Sequence, residues 1–122
     1  RAGSLADSLE TPGGLLNEGE DPRIAGAREL LEETGYAGDP ADVINTVWSN
    51  PSIMDSKITT IVVENARKVA ETAFDDHEEI EVFKYAEAEI ASMIASGKID
   101  HALVVQGLLA WMAVRDGKIQ RF

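Results

Sequence analysis

Three negatively charged side chains, those of Glu29, Glu32 and Glu33, lie within five residues of one another in the sequence. An Asp-Pro pair before them supplies an N-cap and a proline for the first helical position, and Gly35 can take the left-handed conformation beyond a last helical turn. These signals predict a helix over Pro22–Thr34. Like charges three and four residues apart on a helix repel by roughly 0.2–0.5 kcal/mol per pair, so this helix requires a compensating partner.

The three glutamates share one sector of the helix when successive residues are placed about 100° apart. The same sector also contains three compact residues, which are Pro22, Ala25 and Gly26. The opposite side of the helix is predicted to be buried and contains Ile24, Ala27, Leu30 and Leu31. Arg28 stands four residues before Glu32 and is expected to hold it in place. A solvated acidic face is the alternative interpretation, but such a face normally mixes charges of both signs. A divalent cation in front of the carboxylates would relieve their repulsion.

The composition narrows the classes of partner. The 122 residues suit one domain, 1–122, and 44% of them are hydrophobic, as in globular proteins. The absence of cysteine excludes disulfides and thiolate metal sites and favours a cytoplasmic location. A metal ion would therefore need oxygen or imidazole ligands, and oxygen ligands suit Mg²⁺ or Mn²⁺. The net charge of −11 argues against nucleic acid as a partner, and the longest apolar runs are too short to span a membrane.

The rest of the chain alternates between strand-like and helix-like segments, which predicts an α/β fold. Three β-branched or alternating segments are predicted as strands, at 43–49, 57–65 and 79–85, with a polar connection at 66–78. Two helices are predicted at the end, over 86–97 and from an N-cap at Asp100 to Gly117. Trp48 is predicted to pack in the core.

The acidic helix belongs to a longer pattern of fixed positions. Gly13–Tyr36 contains G-x5-E-x7-R-E-(apolar)-x-E-E-x-G-(apolar), filled by Gly14, Glu20, Arg28, Glu29, Leu30, Glu32, Glu33, Gly35 and Tyr36. Every fixed position of the Nudix box is present, and a chance match at nine positions across 23 residues is improbable. The chain therefore resembles the Nudix hydrolase family.

The resemblance implies a fold and an assembly. Nudix domains are α/β/α sandwiches with a mixed sheet, in which two or three strands precede the box. The residues before Gly14 are too few for those strands, so the N-terminal strands are expected to be missing and the domain 1–122 to be N-terminally incomplete, unless another chain completes the sheet. A homodimer is the expected assembly.

The resemblance also assigns roles within the box. Glu29 and Glu33 would be the first metal ligands, with Glu32 as a third and the backbone carbonyl of Gly13 completing the shell around Mg²⁺ or Mn²⁺. The structural positions of the box would be Gly14, Glu20, Arg28 and Gly35. Of these, Arg28 would orient a glutamate and Glu20 would shape the loop.

Features outside the box resemble the ADP-ribose pyrophosphatase group. They are "LETPGG" with Glu10, Pro51 beyond the box, and "DDHEEIEV" with Asp76 and Glu78. By this resemblance, Glu78 would bind metal. Either Glu78 or Asp76 would act as the catalytic base, and Glu32 would also be catalytic. The substrate would be contacted by Arg1, Glu10 and Pro51. The implied reaction is metal-dependent hydrolysis of the pyrophosphate bond of ADP-ribose or a related nucleoside diphosphate sugar, giving AMP and a sugar phosphate. The alternatives are another nucleoside polyphosphate as substrate and a non-catalytic ligand-binding module. For Trp48, the resemblance allows a place beside the nucleotide as the alternative to core packing.

Overall fold

The computed structural model describes residues 9–14, 16, 18–48, 57–72 and 81–117. In this part of the chain the elements are α1 (Pro22–Thr34), β1 (Tyr36–Ala37), β2 (Asp42–Trp48), β3 (Lys57–Val62), β4 (Arg67–Lys68), α2 (Glu87–Ala95) and α3 (Ala102–Arg115). None of the helices described has the length and hydrophobicity needed to cross a bilayer.

Helix α1 has the boundaries that its flanking residues predict. The side chain of Asp21 caps the first turn by accepting a hydrogen bond from the backbone N–H of Arg23 at 2.9 Å. At the other end Gly35 has φ 78°, and its N–H donates to the carbonyl oxygen of Leu31 at 2.8 Å. The helix prediction over Pro22–Thr34 is confirmed.

Strands β2 and β3 form an antiparallel pair that is covered by a helix on each face. A Cβ added to Gly26 of α1 would lie 2.5 Å from Ile61, and one added to Gly107 of α3 would lie 2.8 Å from the hydroxyl of Thr60. Because neighbouring residues of a strand point to opposite faces, α1 and α3 lie on opposite sides of the pair. The layers are therefore helix, sheet and helix, as the α/β/α prediction requires.

A bulge at Ile44 exchanges the faces of β2. Val43 is opposite Ile61 on the α1 side, whereas Asn45 is opposite Thr60 on the α3 side, since the register shifts between them. Ile44 itself is only 1% exposed. The bulge turns the amide of Asn45 toward α3, where it donates a hydrogen bond to Gln106 at 3.0 Å.

The end of α1 is fixed to a second pair of strands. β1 and β4 are antiparallel, and the carbonyl oxygen of Gly35 accepts hydrogen bonds from Val69 N at 2.8 Å and Ala70 N at 3.2 Å. The prediction of a polar connection over 66–78 is therefore wrong at Arg67–Lys68, which pair with Tyr36–Ala37.

Two other predictions of local structure are wrong. The described part of the predicted strand 79–85, residues 81–85, has no strand partner, and Phe83 is 58% exposed. A strand needs a neighbour for its backbone hydrogen bonds, and both described sheets consist of one antiparallel pair, so the parallel pairing of a mixed sheet is not among the described residues. The N-cap of α3 is His101, whose Nδ1 accepts from Leu103 N at 3.2 Å, and not Asp100.

The burial of α1 also differs from the helical-sector prediction. Ile24 is 65% and Leu31 37% exposed, whereas Ala25 is 5% exposed and Gly26 faces the sheet. Small residues let the helix approach the strands closely, which decides the buried face. The described core comprises Ala25, Ala41, Ile44, Met93, Ile99 and Val114. The core prediction for Trp48 is wrong as well, since its residue is 46% exposed.

Candidate active site

The loop before α1 packs against the carboxylates of two helix residues. The backbone N–H of Gly13 donates a hydrogen bond to Glu33 Oε2 at 3.1 Å. A Cβ added at Gly14 would lie 2.4 Å from both Cδ and Oε1 of Glu29, so the carboxylate of Glu29 would have to move to admit a side chain there. The two glycines therefore meet a pair of carboxylates that stand one helical turn apart.

An arginine ties the helix to the far end of the same loop. The guanidinium of Arg28 donates hydrogen bonds to Glu20 Oε2 and, at 3.4 Å, to Glu29 Oε1. Partial burial lowers the pKa of Arg28, but the hydrogen bonds and charges of Glu20 and then Glu29 outweigh it, so the net shift raises the pKa above the ordinary arginine value. Arg28 therefore stays cationic beside Glu29. The predicted pairing of Arg28 with Glu32 is wrong, because the guanidinium turns toward the loop.

The donor atoms at this contact are suited to a hard cation. Across the described residues no three His, Asp or Glu side chains are grouped so that they could hold a metal ion together, and Glu32 lies on the exposed side of α1. Glu29 and Glu33 face the loop beside the backbone of Gly13. These are oxygen ligands, which hard divalent cations require. The residues present fit such a cation, with Glu32 and Glu78 as the further predicted ligands.

The other predicted site residues are distributed unevenly. Glu10 is described and exposed, at the start of the segment that leads to the loop. Arg1, Pro51, Asp76 and Glu78 lie outside the described residues. Their roles, like those of the box residues, remain predictions.

Two contacts, one at the loop and one at the end of the β2–β3 pair, were missed by the sequence patterns. Gly13 was assigned only a carbonyl ligand, and its N–H contact with Glu33 was not anticipated. Lys57 was also missed, although its ammonium lies 4.8 Å from the centre of the Trp48 ring. No sequence pattern indicates this contact, because it depends on the register of the β2–β3 pair, in which these two residues are directly opposite.

The family is decided by a match that spans most of the chain. The family model described as the NUDIX domain matches residues 1–107. The chain belongs to the Nudix family. Nudix hydrolases generally use divalent metal ions, in agreement with the oxygen donors that this Nudix chain gathers at its loop.

Two curated relatives of this Nudix chain are both described as ADP-ribose pyrophosphatase. The protein from Mycobacterium tuberculosis is 32% identical over 114 residues, which are 91% of this chain and 55% of that protein. The protein from Saccharomyces cerevisiae is 36% identical over 80 residues, which are 62% of this chain and 35% of that protein. The chain thus spans about half of one relative and a third of the other.

A solved structure supports the Nudix fold. The crystal structure of an ADP compounds hydrolase superposes with a TM-score of 0.77 at 21% identity, over 92% of this chain and 61% of that one. The superposition confirms the α/β fold that the alternation of strands and helices predicts. At this level of identity it speaks for the fold alone.

The contact at Gly14 leads to a prediction about activity. We expect Gly14→Ala to lower kcat of metal-dependent hydrolysis by about 10- to 100-fold, because the added methyl group displaces the carboxylate of Glu29, a predicted metal ligand. Steady-state kinetics in saturating metal measures the change. Gly13→Ala is the matched comparison, since a Cβ there meets nothing within 4 Å, and its loss should be smaller. Equal losses in the two variants would contradict the steric explanation.

Proposed function

We propose that this chain carries the hydrolytic site of an enzyme that cleaves the pyrophosphate bond of ADP-ribose or a related nucleoside diphosphate sugar, giving AMP and a sugar phosphate. The observation that carries the proposal is the docking of the Gly13–Gly14 loop onto Glu29 and Glu33 within a matched Nudix domain. The choice of substrate is supported by the relatives described as ADP-ribose pyrophosphatases and by the "LETPGG" and "DDHEEIEV" segments.

The proposal gives each acid a task. Glu29 and Glu33 would bind Mg²⁺ or Mn²⁺ from the helix, with Glu32, Glu78 and the carbonyl of Gly13 as further ligands. The metal, when bound, supplies charge neutralisation for the diphosphate and lowers the pKa of a coordinated water.

The remaining residues of the chain position these groups and move a proton. Arg28 holds the carboxylate of Glu29 through its hydrogen bond at 3.4 Å and joins it to Glu20, so the loop and the helix keep their relative placement. Glu78 or Asp76 would accept a proton from the attacking water. Arg1, Glu10 and Pro51 would contact the substrate.

Assembly and location belong to the same proposal. The homodimer is supported by the family resemblance, and the cytoplasmic location by a sequence without cysteine, which needs no oxidising compartment to form disulfides. Light scattering coupled to size exclusion tests the dimer directly, and a monomer at micromolar concentration would contradict it.

Removal of the divalent ion is the direct test of the proposed reaction. We expect chelation by EDTA to abolish release of AMP from ADP-ribose and addition of Mg²⁺ or Mn²⁺ to restore it, because the carboxylates and the diphosphate are both anionic and the divalent cation supplies the charge that neutralises them. Chromatography of the products against a panel of dinucleoside polyphosphates and nucleoside triphosphates ranks the substrates. Preference for a member of that panel would replace ADP-ribose as the substrate. A metal-loaded chain that binds these compounds and cleaves none would favour a ligand-binding module.

A further inference from the structure

An exposed tryptophan stands beside a lysine at the end of the β2–β3 pair. Trp48 ends β2, Lys57 begins β3, and the two are directly opposite in the register. The ammonium of Lys57 lies 4.8 Å from the centre of the Trp48 ring, within cation–π range. The residue Trp48 is 46% exposed, so this large aromatic side chain is not used for packing the core.

The pair lies on the face of the sheet that α1 occupies. Ile61 points at Gly26 of α1, and alternation along β3 places Thr59 and Lys57 on that same face. Residues directly opposite in an antiparallel pair share a face, so Trp48 is there too. The strand rise of about 3.3 Å per residue puts Lys57 about 13 Å from Ile61 along β3.

Two threonine hydroxyls lie between helix α1 and the Trp48–Lys57 pair on this face. The hydroxyls of Thr46 and Thr59 lie 3.0 Å apart, on the same face and one position closer to α1. Along this face Gly26 of α1 lies over Ile61, followed by the two hydroxyls and then by an aromatic ring with a cation. A nucleoside diphosphate with its base at this ring would extend its sugar and phosphates along the face toward α1.

Charge favours a phosphate-bearing occupant of the pair. Lys57 is the one cationic residue within β2 and β3, in a chain of net charge −11. An aromatic side chain that stacks on a base is tolerant of base identity, because every base has a π-face, and a nearby cation adds attraction for the phosphate.

We propose that Trp48 stacks on the nucleobase of the substrate and that Lys57 steers the attached phosphate toward α1. This inference rests on the proposed function, because it places the nucleoside end of the same substrate. It assigns base recognition to a β-strand residue outside the Nudix box. The Thr46 and Thr59 hydroxyls would lie under the sugar that joins base and phosphate.

Binding of AMP to a variant with one tryptophan tests the stacking without turnover. Trp111→Phe removes the other tryptophan, which lies on α3, and leaves Trp48 as the only indole. We expect a saturable quench of Trp48 fluorescence on titration with AMP, and a much weaker response to ribose 5-phosphate, which has no base. No quench by AMP, or an equal response to the two compounds, would overturn the proposal.

Kinetics separate this proposal from the proposed function. With ADP-ribose as substrate, Trp48→Ala should raise KM by about tenfold or more with kcat within about twofold, while Trp48→Phe should recover most of the affinity. Lys57→Gln should raise KM by a few fold, more at low salt than at high salt. Trp111→Phe is the matched control and should leave KM unchanged.

The outcomes point in different directions. An unchanged KM in Trp48→Ala, with an active wild type, would overturn base stacking and leave the proposed function intact. A wild type that cleaves no nucleoside diphosphate sugar, but whose Trp48 is quenched by AMP, would reject the proposed function and retain base recognition at Trp48.

Discussion

Replacing Glu33 with glutamine is expected to lower kcat for ADP-ribose hydrolysis by on the order of 10³-fold. The amide oxygen of glutamine can still accept the hydrogen bond from Gly13 N–H, which the carboxylate accepts at 3.1 Å, so the loop stays docked on α1. What the substitution removes is the negative charge that binds the metal, and metal coordination contributes several kcal/mol to such reactions, at about 1.36 kcal/mol per tenfold change in rate. Kinetics at increasing Mn²⁺ concentration should show weaker metal binding as well as slower turnover.

A matched control separates the metal role from a change of net charge. Glu18 belongs to the same loop, is exposed, and is not a fixed position of the box, so Glu18→Gln removes one charge nearby without touching the predicted ligands. Its kcat should stay within about twofold of the wild type. The free energy of unfolding of both variants should match the wild type, because neither substitution removes a buried group. An active Glu33→Gln variant beside an active wild type would contradict the assignment of Glu33 as a metal ligand.

The acidic helix could be predicted from sequence because its boundaries depend on local chemistry. Asp21 caps the first turn with its own side chain, and Gly35 ends the helix in a conformation that few other residues adopt. Neither signal needs a distant partner. For the same reason the box as a pattern could be found, since its fixed positions all lie on one continuous segment.

The faces of that helix could not be predicted, because tertiary packing decides them. Hydrophobicity favoured Ile24 and Leu31 as buried residues, but the structure buries Ala25 and sets Gly26 against Ile61. A short distance between helix and sheet requires small residues at the contact, and this requirement overrides the preference of larger side chains for the interior. A hydrophobic sector alone does not carry that information.

Contacts between separate segments were likewise beyond the sequence patterns. The strand predicted over 79–85 has the right alternation, but residues 81–85 lack a neighbouring strand among the described elements, so alternation alone was not sufficient. The bulge at Ile44 exchanges the faces of β2, and only the observed register shows that Trp48 and Lys57 meet on the α1 side. The partner of Arg28 was wrong for the same reason, since a loop residue, Glu20, competes with the helix neighbour Glu32.

The largest expected effect on stability comes from Gly35, where two independent penalties coincide. An L-residue in the left-handed conformation costs roughly 1–2 kcal/mol, and Gly35 has φ 78°. A Cβ there would also lie 2.0 Å from the carbonyl oxygen of Ala70, a backbone atom that cannot rotate away. The collision would pull apart the segment whose N–H groups bond to Gly35 O at 2.8 and 3.2 Å.

Gly97 supplies a matched control for the strain alone. Its φ of 81° is nearly the same, but an added Cβ meets nothing within 4 Å. We expect Gly97→Ala to lower the free energy of unfolding by about 1 kcal/mol and Gly35→Ala by about 3 kcal/mol, the difference being the cost of the clash. Urea unfolding followed by circular dichroism measures both. Equal losses would show that the contact with Val69 and Ala70 does not hold the end of α1. The expected difference would show that these two residues, which follow β4, fix the last turn of α1, where Glu33 lies.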